Sequence, residues 1–181
     1  MGKSPFHSEF EELNLRFYVH RKHGTERRRG VVFIKEVVPK SAIALTARLI
    51  YGENYVSLPM THKIVPTADR IEVEYAWRNR GQWLRLTAGS DGASQLPAEN
   101  SLEQYITEHY WGYSRRRGRN TLEYQVTHAP WRVWRCSHAG FEGNGAELYG
   151  RELGAILSRQ PDSAFIAAGS SVLVFRGEEI S

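Results

Sequence analysis

The sequence predicts an α+β domain with a mostly antiparallel sheet, strongly curved or barrel-like, and a few short helices. Three observations lead to this prediction: segments in which apolar and polar residues alternate, glycine-containing turns between them, and only short stretches of helical spacing. The chain has 181 residues, of which 41% are hydrophobic, as is typical of one domain covering residues 1–181. So many strands in one small domain favour a curved sheet that hides its edges.

The alternation begins early in the chain. Residues 13–20 alternate apolar and polar side chains, which predicts a strand with one face in the core. After a basic, glycine-containing turn, residues 31–38 predict a second strand, buried on both sides over its first half. Pro39 suits the first turn of a helix, and Gly52 can end that helix in the left-handed conformation.

Further along, local turn and cap signals define the elements. Residues 71–88 contain two alternating segments on either side of Asn79-Arg80-Gly81, so we expect an antiparallel hairpin. Ser101 and Gln104 have the spacing of a capping box and predict a helix that runs to about Trp111. The remaining predicted elements are strands at 121–128 and 131–137, a helix at 146–158, and a closing hairpin of residues 164–168 and 172–175.

The positive charge of the chain is concentrated in two arginine clusters. Net charge is only +4, but the pI is about 9.3, and the clusters span residues 27–29 and 115–119, the second interrupted by Gly118. Such clusters keep nucleic acid among the possible partners. Each lies beside glycine between predicted elements, where a solvated loop is the ordinary explanation.

Composition also bears on the compartment. Cys136 is the only cysteine, which excludes an internal disulfide and is consistent with a reducing environment. No apolar run reaches 18 residues, and the first ten residues are polar, so we expect no membrane span and a cytoplasmic location.

Four ordered motifs carry a family resemblance. They are Glu12-Leu-Asn-Leu-Arg-Phe-Tyr-Val19, "ARLIYG", "TEHYWGYSRRRG" and "YQVTHAPW". Together they resemble the YqjF-like family of uncharacterised bacterial proteins, which is usually placed in the acetoacetate decarboxylase-like superfamily. The chain is short at its N-terminus relative to that family, so we expect its barrel to lack strands or to borrow them from a partner chain in a homo-oligomer.

The resemblance implies where an active site would lie. In the decarboxylases a Tyr-x-Glu element supplies a glutamate, and Phe10-Glu11-Glu12 resembles it, which gives Glu12 that role. The segment 47–52 resembles the Gly-Arg-Glu-x-x-Gly element and supplies Arg48. The Pro-Lys-Lys that follows in the decarboxylases is replaced by Asn54, Tyr55 and Val56, so the Schiff-base lysine is missing.

That missing lysine excludes one reaction. Decarboxylation of a β-keto acid through an imine needs an amine that is unprotonated near neutral pH, and neither tyrosine nor valine can form an imine. Lys35 and Lys63 are the possible substitutes, but neither has a cationic neighbour in sequence that would favour its neutral form.

The remaining polar residues still predict a small-molecule pocket. Arg48 could bind a substrate carboxylate through two parallel hydrogen bonds, and Glu12, if it is withdrawn from water, could serve as a general acid or base. The alternative is that Glu12 and Arg48 simply pair with each other or with polar groups of the strands. The further ligand-binding candidates are Arg16, Tyr51, Tyr55, His109 and His128.

Histidine spacing does not predict a metal or cofactor. The seven histidines have no recognisable ligand spacing, and we expect neither a metal site nor a bound cofactor. His109 and His128 could transfer protons near neutral pH, although a hydrogen-bonded structural role is the commoner one for such residues.

Two functions therefore stay open at this stage. The first is a domain that binds a small, carboxylate-bearing organic molecule, with or without turnover of a lyase or hydrolase type. The second is a non-enzymatic interaction module whose arginine-rich loops bind nucleic acid or an acidic protein.

Overall fold

The computed structural model describes residues 10–39, 54–115 and 120–180, which form thirteen strands and three short helices. The strands are β1 (Leu13–His23), β2 (Glu26–Val38), β3 (Tyr55–Ser57), β4 (Met60–Pro66), β5 (Arg70–Asn79), β6 (Gln82–Asp91), β7 (Trp111–Arg115), β8 (Thr121–Thr127), β9 (Val133–Arg135), β10 (His138–Glu142), β11 (Phe165–Ala167), β12 (Leu173–Val174) and β13 (Glu178–Ile180). The helices are α1 (Leu102–Thr107), α2 (Ala146–Tyr149) and α3 (Arg151–Leu157).

Three sheets organise these strands. A seven-stranded sheet has the order β1-β2-β7-β8-β12, with β3 also paired to β2 and β13 also paired to β8. A four-stranded antiparallel sheet has the order β10-β6-β5-β4, and β11 pairs with β9. Most pairings are antiparallel, but β2 runs parallel to both β3 and β7. The α+β prediction is confirmed, whereas the described strands do not close into a barrel.

The core lies between the two larger sheets. Val37 of β2 packs with Met60, Trp77 and Leu84 of the four-stranded sheet, and Leu148 of α2 completes the cluster. Trp77 is 1% exposed and Val37 is fully buried, so their apolar surface is withdrawn from water. One end of the seven-stranded sheet is thereby fixed against its neighbour.

The β1–β2 hairpin confirms one sequence prediction and corrects two others. The strand predicted from residue 13 is confirmed and extends to His23, and a two-residue turn, Gly24-Thr25, leads directly into β2. The arginine cluster 27–29 therefore lies in a strand rather than in a loop. Burial in β2 also differs from expectation, because the longest buried run is Glu36, Val37 and Val38 rather than the first half of the strand.

The β5–β6 hairpin confirms the turn predicted at Asn79-Arg80-Gly81. Asn79 pairs with Gln82, and both central residues have positive φ, 47° for Arg80 and 85° for Gly81. Positive φ at both positions is the geometry of the two-residue turn whose twist matches that of the strands, and it is easiest when glycine takes one of them.

Three predicted elements end or pair differently. The helix that begins after Ser101 stops at Thr107, because Trp111 is already paired with Gly30 in the sheet. The helix predicted at 146–158 is split at Gly150, where φ of 86° and ψ of 165° interrupt the helix. The predicted closing hairpin is wrong, since β11 pairs with β9 and β12 pairs with β8.

Other sequence predictions fall outside this description. The helix expected between Pro39 and Gly52 lies almost wholly in residues 40–53, and most of the second arginine cluster lies in 116–119. Among the helices of the described ranges, none has the length and apolar character needed to cross a membrane.

Replacing Trp77 with alanine should lower the free energy of unfolding by about 3–5 kcal/mol, because the buried indole would leave a cavity in the core. Trp83, on the next strand and 48% exposed, is the matched control, and its replacement by alanine should cost under about 1 kcal/mol. Urea unfolding followed by circular dichroism measures both. Equal losses of stability in the two variants would contradict the placement of Trp77 in the core and of Trp83 in solvent.

Candidate functional site

One face of the seven-stranded sheet collects most of the predicted site residues. Alternation in β1 places Arg16, Tyr18 and His20 on the face opposite to the core residue Leu13. The strand register extends this face across β2, since Glu36 lies opposite Tyr55 of β3 and opposite Asn14 of β1. We call it the polar face.

Aromatic rings cover the middle of the polar face. The ring centroids of Tyr18 and Tyr105 are 5.5 Å apart, and those of Tyr18 and His109 are 5.4 Å apart in an edge-to-face arrangement. The rings of His20 and Tyr105 stack at 5.9 Å, and the Tyr105 hydroxyl lies 3.3 Å from Nε2 of His20. We call Tyr18, His20, Tyr105 and His109 the ring cluster.

Helix α1 delivers Tyr105 to this cluster. Its first turn is fixed by the predicted capping residues, because the Ser101 hydroxyl accepts a hydrogen bond from the Gln104 amide at 3.1 Å. The Gln104 side chain in turn accepts from the amide of Asn100 at 2.8 Å. The short helix then ends at Thr107, and His109 follows two residues later.

Arg16 is a half-buried cation beside the ring cluster. Its guanidinium carbon lies 5.5 Å from the centroid of the Tyr18 ring. In the ranges 10–39, 54–115 and 120–180, Arg16 has no ion pair, whereas Arg21 and Arg28 of the same hairpin both pair with Glu123. Arg16 thus carries a positive charge with no carboxylate at ion-pair distance among the described residues.

His109 is held in its neutral form. It is 8% exposed, and burial first, then the positive charge of Arg16, lowers its pKa to about 4. Nδ1 lies 2.7 Å from the carbonyl oxygen of Ile106, which can only accept, so Nδ1 carries the proton. Nε2 of His109 is therefore a hydrogen-bond acceptor at neutral pH.

Tyr18 and His128 are the other two titratable rings that affect this part of the site. Burial raises the pKa of the Tyr18 phenol, although Arg16 opposes this effect. His128 stacks on Trp131 at 4.1 Å, and its Nδ1 lies 2.8 Å from the carbonyl oxygen of Ala129. The charge of His128 also contributes to the lowered pKa of His109, which places the two predicted histidines within electrostatic range of each other.

Glu12 and Tyr55 form a second contact on the polar face. The Tyr55 hydroxyl donates to Oε1 of Glu12 at 3.1 Å, and Glu12 is exposed while Tyr55 is half-buried. Four strand positions separate Glu12 from Arg16, which is about 13 Å. The pair and the ring cluster therefore occupy different positions along the same face.

The structure brings some predicted residues together and leaves others outside its description. Arg16 and His109 both lie at the Tyr18 ring, Glu12 and Tyr55 form a second contact, and His128 stacks on Trp131. Arg48 and Tyr51 lie within residues 40–53, outside the described residues, so their roles stay predictions. Among the described histidine, cysteine and acidic residues, no group of three or more is arranged to hold a metal ion.

Sequence reasoning missed Tyr18, His20 and Tyr105. The alternation of β1 contained the signal for the first two, because they follow Arg16 on the polar side of the strand. Tyr105 carried no comparable signal, since its contact with His20 joins residues that are 85 positions apart.

A burial test of His109 follows from its lowered pKa. Below pH 6.5 the unfolded chain protonates this histidine and the folded protein does not until about pH 4, so stability should fall with pH over that window. Between about pH 7.5 and pH 5 the free energy of unfolding of the original protein should fall by about 2 kcal/mol through this histidine. In His109→Asn this part of the fall should be absent, when the variant at pH 5 is compared with the same variant at about pH 7.5. Urea unfolding at both pH values measures it.

The exposed His23 provides the control for this test. His23→Asn should keep the pH dependence of the original protein. If His109→Asn and His23→Asn give the same pH profile, the ring of His109 is not withdrawn from water.

Comparison with known protein families gives a match over most of the chain. A sequence model of the family DUF2071, described as an uncharacterized conserved protein, matches residues 1–171. No curated protein matches the chain. Because the match covers nearly the whole length, the chain belongs to the DUF2071 family.

Proposed function

We propose that this protein binds a small, carboxylate-bearing organic molecule on the polar face, with Arg16 as its anchor. The observation that carries the proposal is the state of Arg16, a half-buried guanidinium without an ion pair among the described residues. A desolvated cation is costly unless an anion balances it, and a carboxylate matches the planar donors of arginine through two parallel hydrogen bonds.

The ring cluster would supply the remaining recognition. Tyr18 and Tyr105 offer apolar ring surface next to the anchor, and their hydroxyls can hydrogen-bond a polar substituent. Nε2 of His109, neutral and free of a proton, can accept a hydrogen bond from a hydroxyl or carboxylic acid group of the ligand.

The Glu12–Tyr55 contact supports a relationship with the acetoacetate decarboxylases. The resemblance assigns Glu12 to the active-site glutamate and Tyr55 to the position of the Schiff-base lysine, and these two side chains are in hydrogen-bond contact. A correct motif alignment predicts that these two side chains lie close together, and their hydrogen bond agrees with it. We therefore propose that this protein shares an ancestor with that superfamily and that its curved sheet derives from the barrel of the decarboxylases. We also propose that Arg48 and Tyr51 are additional ligand contacts.

The proposed chemistry excludes an imine. Lys35 donates to the carbonyl oxygen of Leu148 on the core side of the sheet, and Lys63 is exposed on β4 opposite Glu74. Lys35 is thus hydrogen-bonded on the side of the sheet away from the polar face and Lys63 lies in water on another sheet, so neither is placed to act as a nucleophile there. Any turnover at the polar face would proceed by acid–base steps involving Glu12 or His109. The single cysteine is consistent with a cytoplasmic location for this activity.

Arg16→Gln should weaken the binding of the carboxylate ligands found in a thermal-shift screen of small mono- and dicarboxylic acids by about 10- to 100-fold. This is the cost of losing a charge-assisted pair of hydrogen bonds. Titration calorimetry on the best ligand measures the change. Arg27→Gln, an exposed arginine of the same hairpin, removes the same charge and should bind as before.

Equal binding by the Arg16 and Arg27 variants would refute the anchor. Arg16→Lys distinguishes charge from geometry, because lysine keeps the charge but not the planar pair of donors. We expect Arg16→Lys to bind more weakly than the original protein and more tightly than Arg16→Gln.

Treatment with acetoacetate and borohydride should leave the intact mass of the protein unchanged, because no lysine of the described residues is in position to form an imine that the reductant could trap. An acetoacetate decarboxylase treated in parallel is the positive control. A stable adduct on Lys35 or Lys63 would show that one of them has replaced the missing lysine.

A further inference from the structure

We propose that residues 20–29 form a basic arm that binds the phosphate backbone of double-stranded nucleic acid. The arm is the far end of the β1–β2 hairpin, with the sequence His20-Arg-Lys-His-Gly-Thr-Glu-Arg-Arg-Arg29. Strand β7 begins to pair with β2 only at Gly30, so among the described strands residues 26–29 pair with β1 alone. The arm is thus a two-stranded ribbon at the margin of the sheet.

One face of the basic arm is anchored to the protein. Arg21 lies 2.9 Å and Arg28 lies 2.6 Å from the carboxylate of Glu123, which is only 7% exposed. The guanidinium of Arg28 also stacks over the ring of Trp111 at 3.9 Å. Arg28 also pairs with Glu26 at 3.0 Å, so the two inward arginines face two carboxylates and the ribbon is held in place.

The other face of the basic arm carries exposed cations. Lys22 pairs across the strands with Arg27, and His20 pairs with Arg29, and all four residues are exposed. Within the described part of the chain, Lys22, Arg27 and Arg29 have no ion pair. Lys22 and Arg27 are like charges placed directly opposite one another, which destabilises a sheet, so an external polyanion would relieve this repulsion.

Several features of the arm favour a duplex over other polyanions. A two-stranded ribbon has the width that the major groove of a duplex admits, and cations on one face recur every second residue, about 7 Å along the strand. Residues 20–29 contain no phenylalanine, tyrosine or tryptophan, and the neighbouring Tyr105 ring is already stacked on His20 and lies 5.7 Å from the Arg29 guanidinium, so the arm itself adds no ring on which bases of a single strand could stack. Binding would therefore be independent of base sequence.

The test compares a variant of the arm with a variant elsewhere of equal net charge. Lys22→Gln with Arg27→Gln removes two cations from the arm and leaves Arg16 and the ring cluster intact. Arg151→Gln with Arg159→Gln removes two exposed cations at the two ends of α3. Both proteins and the original are titrated against a fluorescent DNA duplex of about 20 base pairs, between about 50 and 300 mM salt.

The original protein should bind the duplex with an affinity that falls steeply as salt rises. The slope of log affinity against log salt should decrease by about 2 in the arm variant and stay unchanged in the α3 variant. Equal slopes in all three proteins, or no binding at low salt, would overturn the proposal.

Two further ligands identify the class of partner. A single strand of the same length should bind more weakly than the duplex, and polyglutamate should compete poorly for the arm. Preference for the single strand or for polyglutamate would overturn the assignment to a duplex. Because Lys22 and Arg27 lie outside the carboxylate site, this outcome is independent of the Arg16 titration.

Discussion

The register between β1 and β2 determines what both faces of the large sheet can do. Phe17 lies opposite Val32 and Tyr18 opposite Val31, and this pairing sends Leu13 and Val37 to the core and Arg16, Tyr18 and His20 to the other side. A slip of one residue would exchange the two faces. Arg16 would then face the core side, where its guanidinium would meet apolar side chains, and Leu13 would lose its apolar contacts.

The hairpin is secured at both ends by different forces. At the core end, burial of Val37 against Trp77 and Leu84 supplies apolar packing. At the far end, Glu123 binds Arg21 and Arg28, and separating this buried carboxylate from its cations would destabilise the hairpin. Arg16 lies between these two ends and has no ion pair among the described residues.

Local sequence signals predicted local structure well. The alternation of β1, the turn at Arg80-Gly81 and the cap at Ser101 all depend on neighbouring residues, and each has the predicted form. The errors came from distant pairing. Trp111 continues a helical pattern in sequence but pairs with Gly30, and β11 and β12 find partners other than each other.

The candidate site shows the same division. Arg16, His109 and His128 could be nominated from motifs, because a resemblance assigns residues one by one. Their environment could not be predicted, since the burial of His109 and the stacking of Tyr105 arise only when α1 packs on the sheet. Glu12 illustrates the reverse: its contact with Tyr55 agrees with the motif alignment, but its exposure differs from the enclosed pocket that the alignment implies.

Arg16 and His109 are coupled through charge, and this coupling shapes what the polar face can do with a ligand. The positive charge of Arg16 is the second cause of the lowered pKa of His109, after burial. A carboxylate bound to Arg16 would offset that charge and make His109 more basic, while a ligand that covers the ring cluster would bury His109 further and oppose the change. Burial is the larger cause, so His109 would stay neutral near pH 7 in either state. The polar face therefore presents a cation next to an uncharged acceptor, an arrangement that distinguishes a carboxylate with a neighbouring hydrogen-bond donor from a simple anion.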